Sequence, residues 1–225
     1  MPQYDYDVLV IGSGPSGQRA AIQSAKLHKR VAIVEKKAVV GGVCVNSGTI
    51  PSKTMREAVL HLSGYRYRNL YGASYTVKQN ITIADLMFRT GHVVNNEIEV
   101  MRHQLMRNGI EVLVAEAAFI DPHTARLISL DGRGHRDVSA ESIILAAGTH
   151  ASLDEHIPFD GQRIFTSDDV LNLDHLPRTL TVVGLPLSAE QSLAGEQELL
   201  AWIGETDKRG KPPMRASART ARAVV

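Results

Sequence analysis

Short apolar runs that stop at glycine alternate with longer stretches of helical period along most of this chain. Tyr6–Ile11 contains DVLVI and stops at glycine, the pattern of a strand buried on both faces in a parallel sheet. Pro15 to His28 reads as a helix, with Ala20, Ala21, Ile22 and Ala25 small enough to pack closely on a sheet. Val31–Glu35 (VAIVE) is a second buried strand. Together they make a β-α-β unit of about 30 residues, the minimum for a right-handed parallel crossover.

Pro51 stands at a plausible first helical position before Lys53–Leu62, where Met55, Ala58, Val59 and Leu62 carry the apolar period. Residues 63–80, rich in Tyr, Arg, Gly and Asn, read as an excursion loop. Thr82–Arg107 is the longest helical pattern, with Ile83, Met87, Val94, Ile98, Met101 and Leu105 in one stripe. Gly91 inside it costs roughly 1 kcal/mol relative to alanine, which allows for a bend or break there. Glu111–Val114, Ala117–Ile120, Ala125–Leu130 and Arg136–Ser139 then read as short strands, the last two joined by a turn at Asp131-Gly132-Arg133-Gly134. Ser142–Ala146 (SIILA) is another buried parallel strand, 154–177 is loop-rich, and Leu180–Val183 is a final strand stopping at Gly184. The expected fold class is α/β: a Rossmann-like domain with a parallel sheet, helices and a small antiparallel β-meander.

Composition narrows the setting. At 225 residues, 44% hydrophobic and 22% charged, the chain has the make-up of a globular protein. No apolar run approaches the ~18–20 residues that span a bilayer, and the N-terminus enters a strand without a basic leader. With one cysteine, this points to a cytoplasmic protein with no membrane partner. The six basic residues from Lys208 onward have no acids among them, leaving 19 basic against 24 acidic residues before them, a formal −5. An acidic body with a basic tail gives no support for a nucleic-acid surface. The alternation Tyr65-Arg66-Tyr67-Arg68 imitates one, but reads better as a loop packing on the main domain. Nine histidines form neither HExxH nor a close cluster with Cys or carboxylates, so no metal is expected.

The chemistry begins at Ile11-Gly12-Ser13-Gly14-Pro15-Ser16-Gly17, a GxGxxG motif after a strand and opening a helix. Gly12 permits the tight turn, Gly14 lets the backbone approach a pyrophosphate, and Gly17 lets helix and strand pack closely. Pro15 and Ser16 open the helix, whose unpaired N–H groups and positive dipole end suit phosphate. Glu35, 18 residues after Gly17 at the end of the second strand, is placed to accept ribose hydroxyls. This fingerprint fits FAD and NAD equally.

The stretch GGVCVNSGTIPSK, Gly41 to Lys53, tips the reading to FAD. It resembles the redox-active segment of the pyridine nucleotide-disulfide oxidoreductases, in which two cysteines relay electrons between substrate and flavin. Here Cys44 matches the first and Thr49 stands where the second would be; Cys44 is the only cysteine, so no intramolecular disulfide can form. Within the family the pattern looks like the soluble Si-specific NAD(P)+ transhydrogenases. The resemblance implies hydride passing from NADPH through FAD to NAD+, with nicotinamide nucleotides as substrates and a homodimeric assembly. It also implies that Glu35, Lys36, Gly41, Gly42, Val43 and Cys44 wrap the dinucleotide. Lys53 matches a lysine whose ammonium lies near the flavin. SIILAAGTHA, with Ala147 and Gly148, resembles the family's second FAD signature, and Thr166 to Pro177 its connector to the NAD domain. Ala115 departs from a glycine the family usually places near the adenine. Redox catalysis by Cys44 is not expected, since a lone cysteine is more often a small buried hydrophobe.

The family match runs from about Asp5 to Gly184. There a second GxGxxG would open the NAD(P) domain, but the chain reads Gly184-Leu185-Pro186-Leu187-Ser188-Ala189, and Pro186 removes a backbone donor. Residues 1–184 are therefore expected to be the FAD domain, 185–204 a non-family amphipathic helix, and 205–225 a disordered basic tail. A frameshift or truncation at Gly184 would give such a chain, without the NAD(P), central and dimer domains. Three functions stay open: a transhydrogenase-type enzyme; a truncated, catalytically impaired FAD-binding module; and another flavoprotein, such as a flavin reductase or a dihydrolipoamide-dehydrogenase-like member lacking the redox disulfide.

Overall fold

A computed structural model describes residues 3–151 and 156–182. The helix expected at 185–204, the tail at 205–225 and the altered glycine motif at Gly184 lie outside the described residues. The described residues divide into two compact units, 3–52 with 90–151 and 156–171, and 53–89 with 172–182.

The first unit is built on a six-stranded sheet. Its strands are β1 (Tyr6–Ile11), β2 (Val31–Glu35), β3 (Glu111–Val114), β4 (Glu116–Asp121), β5 (Thr124–Ile128) and β6 (His135–Leu145), in the spatial order β3-β2-β1-β6-β5-β4. β3, β2, β1 and the second half of β6 run parallel, with Val10 beside Ile33 on one side and Ile144 on the other. The first half of β6 pairs antiparallel with β5, and β5 with β4. The chain leaves β1 for β2 in one direction, and β6 later fills the opposite flank. This makes β1/β6 the switch point of the parallel part, where open α/β sheets bind ligands.

The continuous apolar runs reflect burial on both faces: β2 is buried at all five positions. Alternate side chains divide between two cores. Val8, Val10, Val31 and Ile33 join Ala21, Ile98 and Leu105 from the helices. Leu9, Ala32 and Val34 join Ala115, Ala125, Leu127, Val138 and Ala140, most of them from the meander.

Helix α1 (Pro15–Lys26) crosses from β1 to β2. It ends two residues before the sequence suggests, because His28 turns left-handed at φ 60°. The His28 and Lys29 amides then donate back to Ala25 and Ser24, closing the helix. Helix α2 (Gly42–Asn46) was not expected, and α3 (Thr49–Leu62) starts two residues before Pro51, the expected first helical position. The expected strands 136–139 and 142–146 are one strand, β6, which changes partners along its length.

In the second unit the presumed loop 63–80 holds a 3-10 turn (Tyr65–Tyr67) and a short helix α4 (Arg68–Tyr71). Tyr71 and Tyr75 pack ring on ring at 5.0 Å, with Tyr67 tilted against both. Helix α5 (Ile83–Arg107) is unbroken through Gly91, where the sequence allows for a bend or break. Residues 180–182 join no strand, and the rest of the strand expected at Leu180–Val183 is not described.

Candidate functional site: a glycine-lined cradle at the sheet's switch point

At the C-terminal ends of β1, β2 and β6 the predicted residues come together. Gly12 follows β1 at φ +106°, and its amide donates to the Val34 carbonyl at 2.8 Å. A Cβ there would lie 2.2 Å from the Ala146 carbonyl oxygen, so the turn and the end of β6 touch backbone to backbone. The Ala146 amide completes that seam by donating to Ile11 at 2.8 Å. Ala147 and Gly148 follow immediately and are exposed. Gly17 is the close-packing position: a Cβ would fall 1.9 Å from the Gly12 carbonyl oxygen.

Gly14 differs from both. Its backbone is ordinary, φ −63° and ψ 177°, and a Cβ would meet no heavy atom within 4 Å. Neither strain nor packing within the protein calls for glycine at that position. It caps α1 without a side-chain hydrogen bond, Pro15 and Ser16 are exposed beside it, and the first turn carries no acidic residue. The positive end of the α1 dipole therefore faces open space. Gly42, at φ +59°, closes the other side, where a Cβ would stand 3.0 Å from Gly14 Cα.

Glu35 ends β2 with 8% exposure. Its Oε2 accepts from the Ser13 amide (3.0 Å) and the Ser13 hydroxyl, and its Oε1 accepts from the Lys37 amide (2.9 Å). A carboxylate offers about four acceptor positions, so roughly one remains, on Oε1. Ser13 is fully buried, and its Oγ also accepts the Gly41 amide at 3.1 Å. Sequence reasoning passed over Ser13, the residue that ties the glycine turn, the β2 carboxylate and the Gly41 loop together. Its only signal was a hydroxyl inside a glycine turn.

The other predicted residues spread outward. Lys36 is exposed and pairs with Glu116 at 2.8 Å. Val43 is exposed and Cys44 half-buried in α2. Lys53 belongs to the second unit, exposed in α3. The Ala115 methyl is buried in the second core, and its amide donates to the Glu35 carbonyl at 3.0 Å. Among the described residues no three His, Cys, Asp or Glu side chains gather as a metal ion would require. No described helix is long and apolar enough to cross a membrane.

Known proteins resemble this chain over most of its length. The chain is 53% identical over 180 residues to the soluble pyridine nucleotide transhydrogenase of Mycobacterium bovis (strain BCG / Pasteur 1173P2), covering 80% of this chain and 38% of that protein. It is 36% identical over 181 residues to the protein of the same name from Colwellia psychrerythraea, with the same coverage. Among solved structures it is similar to the HOCl-induced flavoprotein disulfide reductase RclA from Escherichia coli. That likeness has a TM-score of 0.66 at 26% identity and covers 89% of this chain and 40% of that one. The chain thus spans about two-fifths of the length of these relatives. The family described as pyridine nucleotide-disulphide oxidoreductase matches residues 6–188, and the chain belongs to it.

Proposed function

We propose that this chain binds FAD in the cradle around Gly14 and serves a pyridine nucleotide transhydrogenase-type oxidoreductase. The observation that carries the reading is Gly14. Gly12 and Gly17 are required by the protein's own contacts, whereas Gly14 is required only by something that must come close to the backbone. The free N–H groups of the α1 turn suit a diphosphate, and the open position on Glu35 suits a ribose hydroxyl. Ala147 and Gly148 would line the same seam from β6, with Gly41, Gly42, Val43 and Cys44 along the adjoining segment.

FAD, when bound, supplies two-electron chemistry between pyridine nucleotides. The residues of this chain bind and orient it: Ser13 fixes the carboxylate of Glu35, and Gly42 keeps the α2 backbone close to the turn. Cys44 has no second cysteine within this chain, and Thr49 stands exposed at the start of α3. Thiol-disulfide exchange by an internal dithiol is therefore not part of the proposal. A bound flavin would exchange electrons directly with NAD(P), whose site the family places in the domain expected after Gly184. On this reading residues 1–184 are the flavin-binding part of a cytoplasmic enzyme, and Lys53 adds positive charge near the flavin.

The test is a titration of purified, folded protein with FAD, followed by quenching of flavin fluorescence. Retained yellow colour or saturable uptake is expected. Folded protein that neither carries FAD nor takes it up would overturn the proposal.

A further inference from the structure

Gln18 is an anomaly inside the first turn of α1. The residue is 6% exposed, yet its side-chain Nε2 has no hydrogen-bond partner among the described residues. A buried amide donor left unpaired is destabilising, so native chains place one where something satisfies it.

The helix decides where this donor is aimed. The Gln18 amide donates to the Gly14 carbonyl at 2.9 Å, so Gln18 sits one turn above Gly14. It shares the inward face of α1 with Gly17 and Ala21, the only other buried residues of the helix. Helical side chains lean toward the N-terminus and cover the preceding turn. By that rule a side chain at position 18 covers the turn that contains Gly14. A deeply buried donor with no protein partner and an open helix N-terminus converge on one place.

We infer that Gln18 Nε2 donates a hydrogen bond to an acceptor oxygen of the bound dinucleotide, in its central diphosphate or adjoining sugar-chain region. The inference rests on the proposal that FAD occupies this cradle. Gln18 is a positioning residue: it holds the cofactor and takes no part in electron transfer. It makes a further claim that the glycine fingerprint does not, namely that one buried donor is paired in the complex and unpaired in the free protein.

That difference gives the test its form. In Gln18→Leu and the nearly isosteric Gln18→Met, the unpaired donor is gone from the free protein and the paired one is lost from the complex. The apoprotein should unfold at the same temperature as wild type or higher. The FAD dissociation constant, read by fluorescence quenching on the full chain, should rise about tenfold or more, as loss of a hydrogen bond to a charged or strongly accepting group predicts. Gln18→Glu, an acceptor in place of a donor, should weaken FAD further at neutral pH. Titrations with ADP and with FMN then assign the oxygen to one half of the cofactor.

Unchanged FAD affinity in both apolar variants would overturn the inference, as would a lower unfolding temperature in both apoproteins, the sign of a donor already satisfied by trapped water. Wild-type protein that binds no FAD would instead overturn the proposed function, so the two failures are distinct.

Discussion

Alanine at Gly17 and at Gly14 should give opposite results, because the two glycines answer to different neighbours. At Gly17 the new Cβ would stand 1.9 Å from the Gly12 carbonyl oxygen, backbone that no side-chain rotation can clear. Overpacking of this kind costs about 1–3 kcal/mol or more, against about 0.5–1 kcal/mol returned by replacing a helical glycine. The mid-range balance is a loss of about 1 kcal/mol from the apoprotein, and α1 must move off β1. At Gly14 the Cβ enters open space at φ −63°. Reduced freedom of the unfolded chain contributes about 0.4–1 kcal/mol, and a poorer helix cap costs a similar amount. Apo stability should stay within about 0.5 kcal/mol of wild type. FAD binding should nonetheless fall at least tenfold, about 1.4 kcal/mol, and fall further for Gly14→Val. Urea unfolding of the apoproteins with FAD titration of each reads both quantities. Gly14→Val protein that binds FAD like wild type would refute the assignment of Gly14 to the ligand path. Gly17→Ala protein of unchanged stability would refute the packing argument.

Three more outcomes follow from the same geometry. Cys44→Ser should leave FAD binding and any diaphorase activity largely unchanged; complete loss of turnover with FAD still bound would show that the thiol takes part. In the second unit the Asp85 carboxylate is held down to about 2, first by Lys78 and then by the Thr82 amide and hydroxyl, against its ordinary 3.8. Its contribution is fully present above pH 3.8 and lost as the pH falls through about 2, so Asp85→Asn should be less stable than wild type at pH 7 and converge with it only below about pH 2. A gap in unfolding midpoint that persists unchanged at low pH would contradict this. Leu9→Ala, at a fully buried position of the central strand, should cost about 2–5 kcal/mol in urea unfolding, and a loss below ~1 kcal/mol would mean the second core can collapse around the gap.

The central strands were legible because their burial leaves an unbroken apolar run between glycine and a charged end. Tyr6–Ile11, Val31–Glu35 and Glu111–Val114 have the bounds the sequence suggests. Helix α2 was not legible: five residues, opened by glycine, are too few to show a period. The split of β6 into two expected strands has a similar cause. Ala140 and Glu141 interrupt the apolar pattern where the strand passes from β5 to β1 as its partner, and hydrophobicity records faces, not partners. In the site the glycines and Glu35 could be read from spacing, since backbone approach leaves a mark in residue type. Ser13 and Gln18 could not, because what distinguishes them is burial and pairing, which only the assembled turn creates.

That change of partners along β6 has a consequence for how the molecule is made. The pairing of β1 with β6 joins positions 134 residues apart, as at Asp5 and Ser139. At about 5–20 residues per second, a growing chain exposes one flank of β1 for roughly ten seconds before the other half of the seam exists. The meander β4-β5-β6, by contrast, is held by pairings between neighbours in sequence, of the kind that form on the microsecond scale of hairpins. The Gly12–Ala146 contact lies on that last seam. On the proposed function, a dinucleotide seated across it would act as a latch, favouring the closed seam by mass action.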